Sequence, residues 1–152
     1  MRTIRRIRLL LTFDKTTVLL FAEAFLMLGW ARIMMLFKFA KIAPTLGLKS
    51  RETAEDYRKD DIRPIKNITS AIHVVSRYTP WDSKCLVRAI AGMKMLERRR
   101  INSTLYLGTA KDENGRMIAH AWLRSGPFYI SGADVMNRFV IVEKFAKEVL
   151  TD

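Results

Sequence analysis

The sequence of 152 residues has only one cysteine, Cys85, and two histidines. A single cysteine cannot form an intramolecular disulfide, which indicates a reducing, cytoplasmic setting. One cysteine and two histidines are also too few for an ordinary Cys/His zinc site, so we expect no metal and no cofactor. A lone cysteine is most often a small buried hydrophobe. A chemical role for Cys85 must therefore be supported by its surroundings.

Glycine and proline are scarce, with seven and four residues, and this argues against a loop-rich sandwich. Hydrophobic residues make up 49% of the chain, which argues against disorder and supplies a real core. The length suits one ordinary domain, or a small domain with an extension.

Acidic residues are also few: the chain has 15 Asp and Glu against 27 Lys and Arg, for a net charge of +12. A basic chain suits an anionic partner such as nucleic acid, a membrane surface or an acidic peptide. No nucleic-acid recognition motif is present, and aromatic residues do not interleave with the cationic run at residues 98–100. We therefore expect no nucleic-acid partner.

A long uncharged hydrophobic run is absent. Residues 18–40 are strongly apolar, but Glu23, Arg32 and Lys38 interrupt them, whereas a membrane span needs about 20 apolar residues. The arginine-rich start MRTIRRIRLLL lacks a following small-residue cleavage site, so it is not read as a secretory signal. We expect a buried or interfacial helix, with peripheral membrane contact through its basic start.

The first part of the chain predicts helices. Asp14 can cap a helix over residues 15–42 that ends before Pro44 and Gly47. Residues 48–61 read as a polar linker or a short exposed helix. The predicted division is therefore an N-terminal helical region and linker at 1–60, followed by a catalytic domain at 61–152.

The second part predicts an α+β arrangement of helices, a strand meander and a closing helix. An amphipathic helix covers 62–78, and the next helix is capped by Asp82 or Ser83, which places Cys85 in its first turn. Alternation and turn signals predict three strands and spacing predicts a final helix: strands 103–109, 116–123 and 128–131, and helix 137–150.

A cysteine in the first turn of a helix is a candidate nucleophile. Unpaired N–H groups and the helix dipole favour the thiolate there, and the same amides can stabilise an oxyanion. His120 lies in the second predicted strand between Ala119 and Ala121. A strand packed against the Cys85 helix would bring its imidazole to the thiol, as in papain-type enzymes.

A third group should orient the imidazole. Asp134 is the only carboxylate between His120 and Glu143, so it is the expected third member, with Asn137 as an alternative. His73 is read as structural.

Several motifs together resemble the leader peptidases of lasso-peptide biosynthesis, which are transglutaminase-like cysteine peptidases. The motifs are Trp81-x-x-x-Cys85-Leu86-x-Arg88-Ala89, the leucine/arginine run 96–100, Leu105-Tyr106-Leu107-Gly108 and Ala119-His120-Ala121-Trp122-Leu123. The resemblance covers Trp81 to Phe139. It implies a papain/transglutaminase-like core with an N-terminal helical extension, in which Cys85 and His120 are catalytic. Asp134 is the matching acid, although the spacing after the histidine varies in that family, and Arg100 stands where its members often have glycine.

The resemblance also implies a function and partners. Such an enzyme cleaves the leader from a ribosomally made precursor peptide, and a separate ATP-dependent cyclase closes the macrolactam ring. Residues 1–80 are predicted to be helical without strands, so we expect a separate leader-recognition protein. Substrate binding is assigned to Trp81, Arg88 and Trp122. The alternatives are an inactive peptide-binding module of the same fold and a transglutaminase-like acyltransferase.

Overall fold

The structure is a computed structural model that describes residues 12–149; the arginine-rich start at 1–11 lies outside these residues. Helix α1 spans Lys15–Met34 and Asp14 occupies its N-cap position, although the Asp14 side chain makes no capping hydrogen bond to the backbone. The prediction of one helix over 15–42 is wrong, because a short helix α2, Phe39–Ile42, follows as a separate element and runs into a 3-10 helix, Ala43–Leu46. After α1 the backbone tightens into i→i+3 hydrogen bonds, so the chain turns and buries Ile42 in the core.

Two further helices form the centre of the molecule. Helix α3 spans Ile62–Val75 and buries one side, as its periodicity predicts. Helix α4 spans Cys85–Glu97. Helix α4 packs on the sheet, α3 packs on α4, and α1 packs on both α3 and α4. Thus α1 forms an outer layer over the helix pair.

The sheet has five strands in the order β1-β5-β2-β3-β4, and every pair is antiparallel. The strands are β1 (Leu48–Lys49), β2 (Ser103–Lys111), β3 (Met117–Ser125), β4 (Phe128–Ser131) and β5 (Val140–Lys147). The expected α+β class and the three predicted strands are confirmed. The segment predicted as a linker contains β1, whose short strand pairs with β5.

The predicted C-terminal helix, residues 137–150, is wrong. A 3-10 helix spans Ala133–Arg138, and β5 then pairs with both β1 and β2. The spacing of Phe139, Val142 and Phe145 indicated a helical stripe, yet Val142 is 58% exposed while Phe145 is 2% exposed. Consecutive β-branched residues favour a strand, and pairing on both edges stabilises it.

The second face of the sheet is covered by the segment that precedes α3. The Arg124 guanidinium donates to Tyr106 Oη (2.9 Å), the Gly126 carbonyl (2.7 Å) and the Thr53 carbonyl (2.8 Å). The Tyr106 and Trp122 rings stack with centroids 5.5 Å apart, and burial raises the pKa of the Tyr106 phenol. Residues on both sides of position 60 therefore contact the same sheet, and the domain division there stays a prediction.

Candidate active site

Cys85 is the first residue of α4. It is half-buried and packs against the hydrophobic core. The expected cap by Asp82 or Ser83 is wrong, since Lys84 is the N-cap residue and its side chain makes no capping hydrogen bond. Ser83 Oγ instead bonds Thr79 Oγ1 at 2.8 Å. The start of α4 consequently keeps backbone N–H donors beside the thiol.

His120 lies within β3, and its ring packs between two aromatic side chains. The ring centroids lie 5.9 Å from Trp122 and 5.0 Å from Phe139. His120 Nε2 donates a hydrogen bond to the Gly132 carbonyl oxygen at 2.7 Å. Because a carbonyl oxygen can only accept, the proton of neutral imidazole is on Nε2 and Nδ1 is the basic nitrogen.

Gly132 is a residue of this site that the sequence analysis missed. Its φ of +76° is in the left-handed region, and a Cβ there would lie 2.4 Å from the Ala121 carbonyl oxygen and 3.1 Å from His120 Nε2. Only glycine fits this close approach without strain. A glycine directly after a predicted strand was the available signal.

Asp134 follows in the 3-10 helix and is exposed. Within residues 12–149 its carboxylate makes no hydrogen bond or ion pair, and the acceptor at His120 Nε2 is the Gly132 carbonyl. Asn137, the alternative, is exposed as well. The assignment of Asp134 as the third catalytic member stays a prediction.

Cys85 and His120 lie on elements that contact each other, α4 and β3. Leu123 is the side chain of β3 that faces Gly92 of α4, whereas His120 stacks on Trp122 and so lies on the opposite face of the strand. In the described part of the chain, no hydrogen bond joins the Cys85 thiol to the His120 imidazole. Their joint catalytic role stays a prediction.

A cavity of about 510 Å³ opens beside Gly132, between α3, α4 and β4, and both Arg88 and Asp134 line it. Arg88 is held by its Nε, which donates to the Ser83 carbonyl at 2.7 Å. Ser131 Oγ is buried at this wall without a hydrogen-bond partner among the described residues. His73, expected to be structural, is exposed at the cavity, with its Nε2 2.8 Å from Arg77 Nη2.

The two tryptophans assigned to substrate binding are both engaged in packing. Trp81 lies against α1, where its ring centroid is 5.0 Å from that of Phe25, and its indole N–H is buried without a partner in the described structure. Trp122 is 4% exposed beneath His120. Substrate contact by either ring stays a prediction. No group of His, Cys, Asp and Glu side chains suited to a metal ion occurs in residues 12–149.

Comparison with known proteins identifies the family. No curated protein and no solved structure matches the chain. The family description of the transglutaminase-like superfamily matches residues 24–144. The match runs from α1 into β5 and includes Cys85, His120 and Asp134. The chain therefore belongs to the transglutaminase-like superfamily.

Proposed function

We propose that this protein is a cysteine peptidase that removes the leader from a lasso-peptide precursor. Membership of the superfamily supports cysteine-based acyl chemistry. The observation that carries the proposal is the His120–Gly132 hydrogen bond. It fixes the tautomer in which Nδ1 accepts a proton, and Cys85 stands at the start of a helix that packs on the same strand.

The proposed reaction is peptide hydrolysis in two steps. His120 Nδ1 takes the Cys85 thiol proton, and the thiolate attacks the carbonyl of the bond between leader and core. The protonated imidazole then gives this proton to the leaving amine of the core peptide, which leaves the leader as a thioester on Cys85. His120 next takes a proton from water, and the hydroxide attacks the thioester and expels the Cys85 thiolate. The protonated imidazole returns its proton to this thiolate, and the released leader acid loses its proton to solvent as the carboxylate. The N–H groups at the start of α4 donate to the oxyanion.

The partners follow from the same proposal. The precursor's leader is the substrate, a separate protein presents it, and a macrolactam cyclase takes the released core. Among the described residues before α3, the only strand is β1, and it belongs to the main sheet. The leader-recognition protein proposed here is a separate chain, and Arg88 at the cavity beside Gly132 is the proposed substrate-binding cation.

The test is cleavage of a precursor peptide by the purified chain together with its recognition partner, followed by mass spectrometry. We expect leader release by the natural chain and none by Cys85→Ala or His120→Gln. Met117→Ala is the matched control, because Met117 is 72% exposed on the strand that carries His120. Release of the leader by Cys85→Ala at the natural rate would refute the proposal.

One observation favours a second candidate, an inactive peptide-binding module. The His120 partner is a backbone carbonyl, while the exposed Asp134 carboxylate is unbonded in the structure. Such a module would bind the leader without turnover, and iodoacetamide would label Cys85 no faster than a free thiol at neutral pH. An acyltransferase would instead transfer the thioester to an added lysine analogue, and mass spectrometry would show the amide product.

A further inference from the structure

The outward side of α1 is an apolar surface. Leu19, Leu26 and Ile33 are 70%, 67% and 58% exposed. Their spacing of seven places them on one face of the helix. Leu36 and Phe37, which are 75% and 55% exposed, follow the end of α1. We call these five residues the outer α1 surface.

The inward side of α1 is already occupied. Ala24, Leu28 and Ala31 are fully buried against the rest of the molecule, and α1 packs on α3 and α4. The helix is therefore apolar on both sides, although a surface helix normally has a polar outer side. By length and composition α1 could cross a membrane, and only 17% of its most apolar stretch is buried in the protein.

Basic residues outnumber acidic ones in the segment that carries the outer α1 surface. Between residues 15 and 42 the basic residues are Lys15, Arg32, Lys38 and Lys41, and the one acidic residue is Glu23. Glu23 is turned towards α4, where its carboxylate accepts two hydrogen bonds from Arg99, at 2.9 and 2.7 Å. Residues 15–42 therefore contribute no unpaired carboxylate that would repel an anionic partner.

An aromatic and cationic pair lies at the same flank. Lys94 Nζ of α4 lies 5.7 Å from the centre of the Trp30 ring, and Trp30 is 37% exposed. Tryptophan beside lysine suits the boundary between lipid headgroups and acyl chains, because the indole is apolar with one polar edge and the ammonium can reach phosphate.

We propose that the outer α1 surface binds an anionic lipid bilayer, with its apolar side chains among the upper acyl chains and Lys38 and Lys41 at the headgroups. Helices of this kind enter the interface by roughly 5–10 Å. The basic surroundings favour anionic lipid over a neutral surface. The Glu23–Arg99 contact and the packing on α3 and α4 keep α1 on the protein, so it lies at the surface rather than across the bilayer.

The test is flotation of the full chain with vesicles. We expect binding to vesicles that contain phosphatidylglycerol and little binding to pure phosphatidylcholine. Leu26→Asp should weaken binding by about tenfold or more, because it removes a side chain that the bilayer would bury and adds a negative charge that anionic lipid repels. Lys38→Gln and Lys41→Gln should each weaken it by about fivefold. The matched control is Met117→Asp, whose side chain is 72% exposed on the sheet and which should bind like the natural chain.

Other results would overturn the proposal. If the chain does not bind the anionic vesicles, or if Leu26→Asp leaves binding unchanged, the outer α1 surface does not bind lipid. Resistance to extraction by alkaline carbonate would mean that α1 spans the bilayer. A dimer in light scattering that Leu26→Asp converts to a monomer would make the partner a second copy. A large loss of thermal stability in Leu26→Asp would mean that part of this chain covers the surface.

Discussion

The contact that orients His120 can be tested by comparing two neighbouring substitutions, Asp134→Asn and Gly132→Ala. Asp134 is exposed and unbonded in the structure, so Asn removes only a solvated charge. We expect the rate of leader release to change by less than about threefold, which is roughly 0.7 kcal/mol. An aspartate that orients a catalytic histidine would give a loss on the order of 10⁴.

Gly132→Ala acts on the contact that the structure does contain. The added Cβ would lie 2.4 Å from the Ala121 carbonyl oxygen, so the backbone at residue 132 must move and its carbonyl leaves His120. Displacement of a catalytic group by about 1 Å can cost on the order of 100-fold in rate. We expect a loss of that size in leader release.

The matched control is Gly115→Ala. Gly115 has a φ of +75°, close to that of Gly132, but its Cβ would meet no atom within 4 Å. Both substitutions pay the left-handed backbone cost of roughly 1–2 kcal/mol, and only Gly132→Ala disturbs His120. The assays are leader release, the rate of Cys85 alkylation and thermal unfolding. A 100-fold loss in folded Asp134→Asn together with natural activity in Gly132→Ala would refute this account and support Asp134 as the third member.

Other substitutions test the rest of the structure. His120→Gln should slow alkylation of Cys85 at neutral pH by about tenfold or more, because the thiol loses its proton acceptor; an unchanged rate would show that the two side chains do not cooperate. Glu23→Gln should lower the free energy of unfolding by about 2 kcal/mol, since it removes hydrogen bonds to a charged Arg99. The pKa of Glu23 is lowered chiefly by the Arg99 hydrogen bond, so this contribution is present above the unfolded-state pKa, near 4.5, and is lost as the pH falls through the lower folded pKa. Urea unfolding at neutral and acid pH should show the difference between the two chains shrink at acid pH, and a constant difference would contradict it. Arg124→Met should cost roughly 3 kcal/mol or more, because it leaves buried acceptors unpaired; a change in thermal midpoint below that of an exposed control would contradict this.

Local sequence patterns predicted the helices and strands in which buried and exposed residues alternate with a regular period. Alternation located β2 and β3, and the periodicity of Ile65, Ile68 and Ile72 located α3. The start of α4 near Cys85 could be predicted because Pro80 and the polar residues after it separate two helical patterns.

The remainder depends on contacts distant in sequence. The chain near residues 139–147 fits both a helical and an extended pattern, and pairing with β1 and β2 decides between them. The acceptor at His120 is a backbone carbonyl, which any residue type supplies, so residue identity could not indicate that Gly132 makes this contact. The break after Met34 carries no proline or glycine to mark it.

The position of β5 has a consequence for the order in which the chain folds. β5 follows the other four strands in sequence, yet it lies between β1 and β2. Until it inserts, β2 presents an unpaired edge and β1 has no partner, which leaves an intermediate open to pairing with another chain. The sheet is complete only when residues about a hundred positions apart have paired, as the Leu48–Ala146 pair shows. Contacts of such sequence separation slow folding, so substitutions at exposed positions of β5, such as Val142, should lower the rate of refolding.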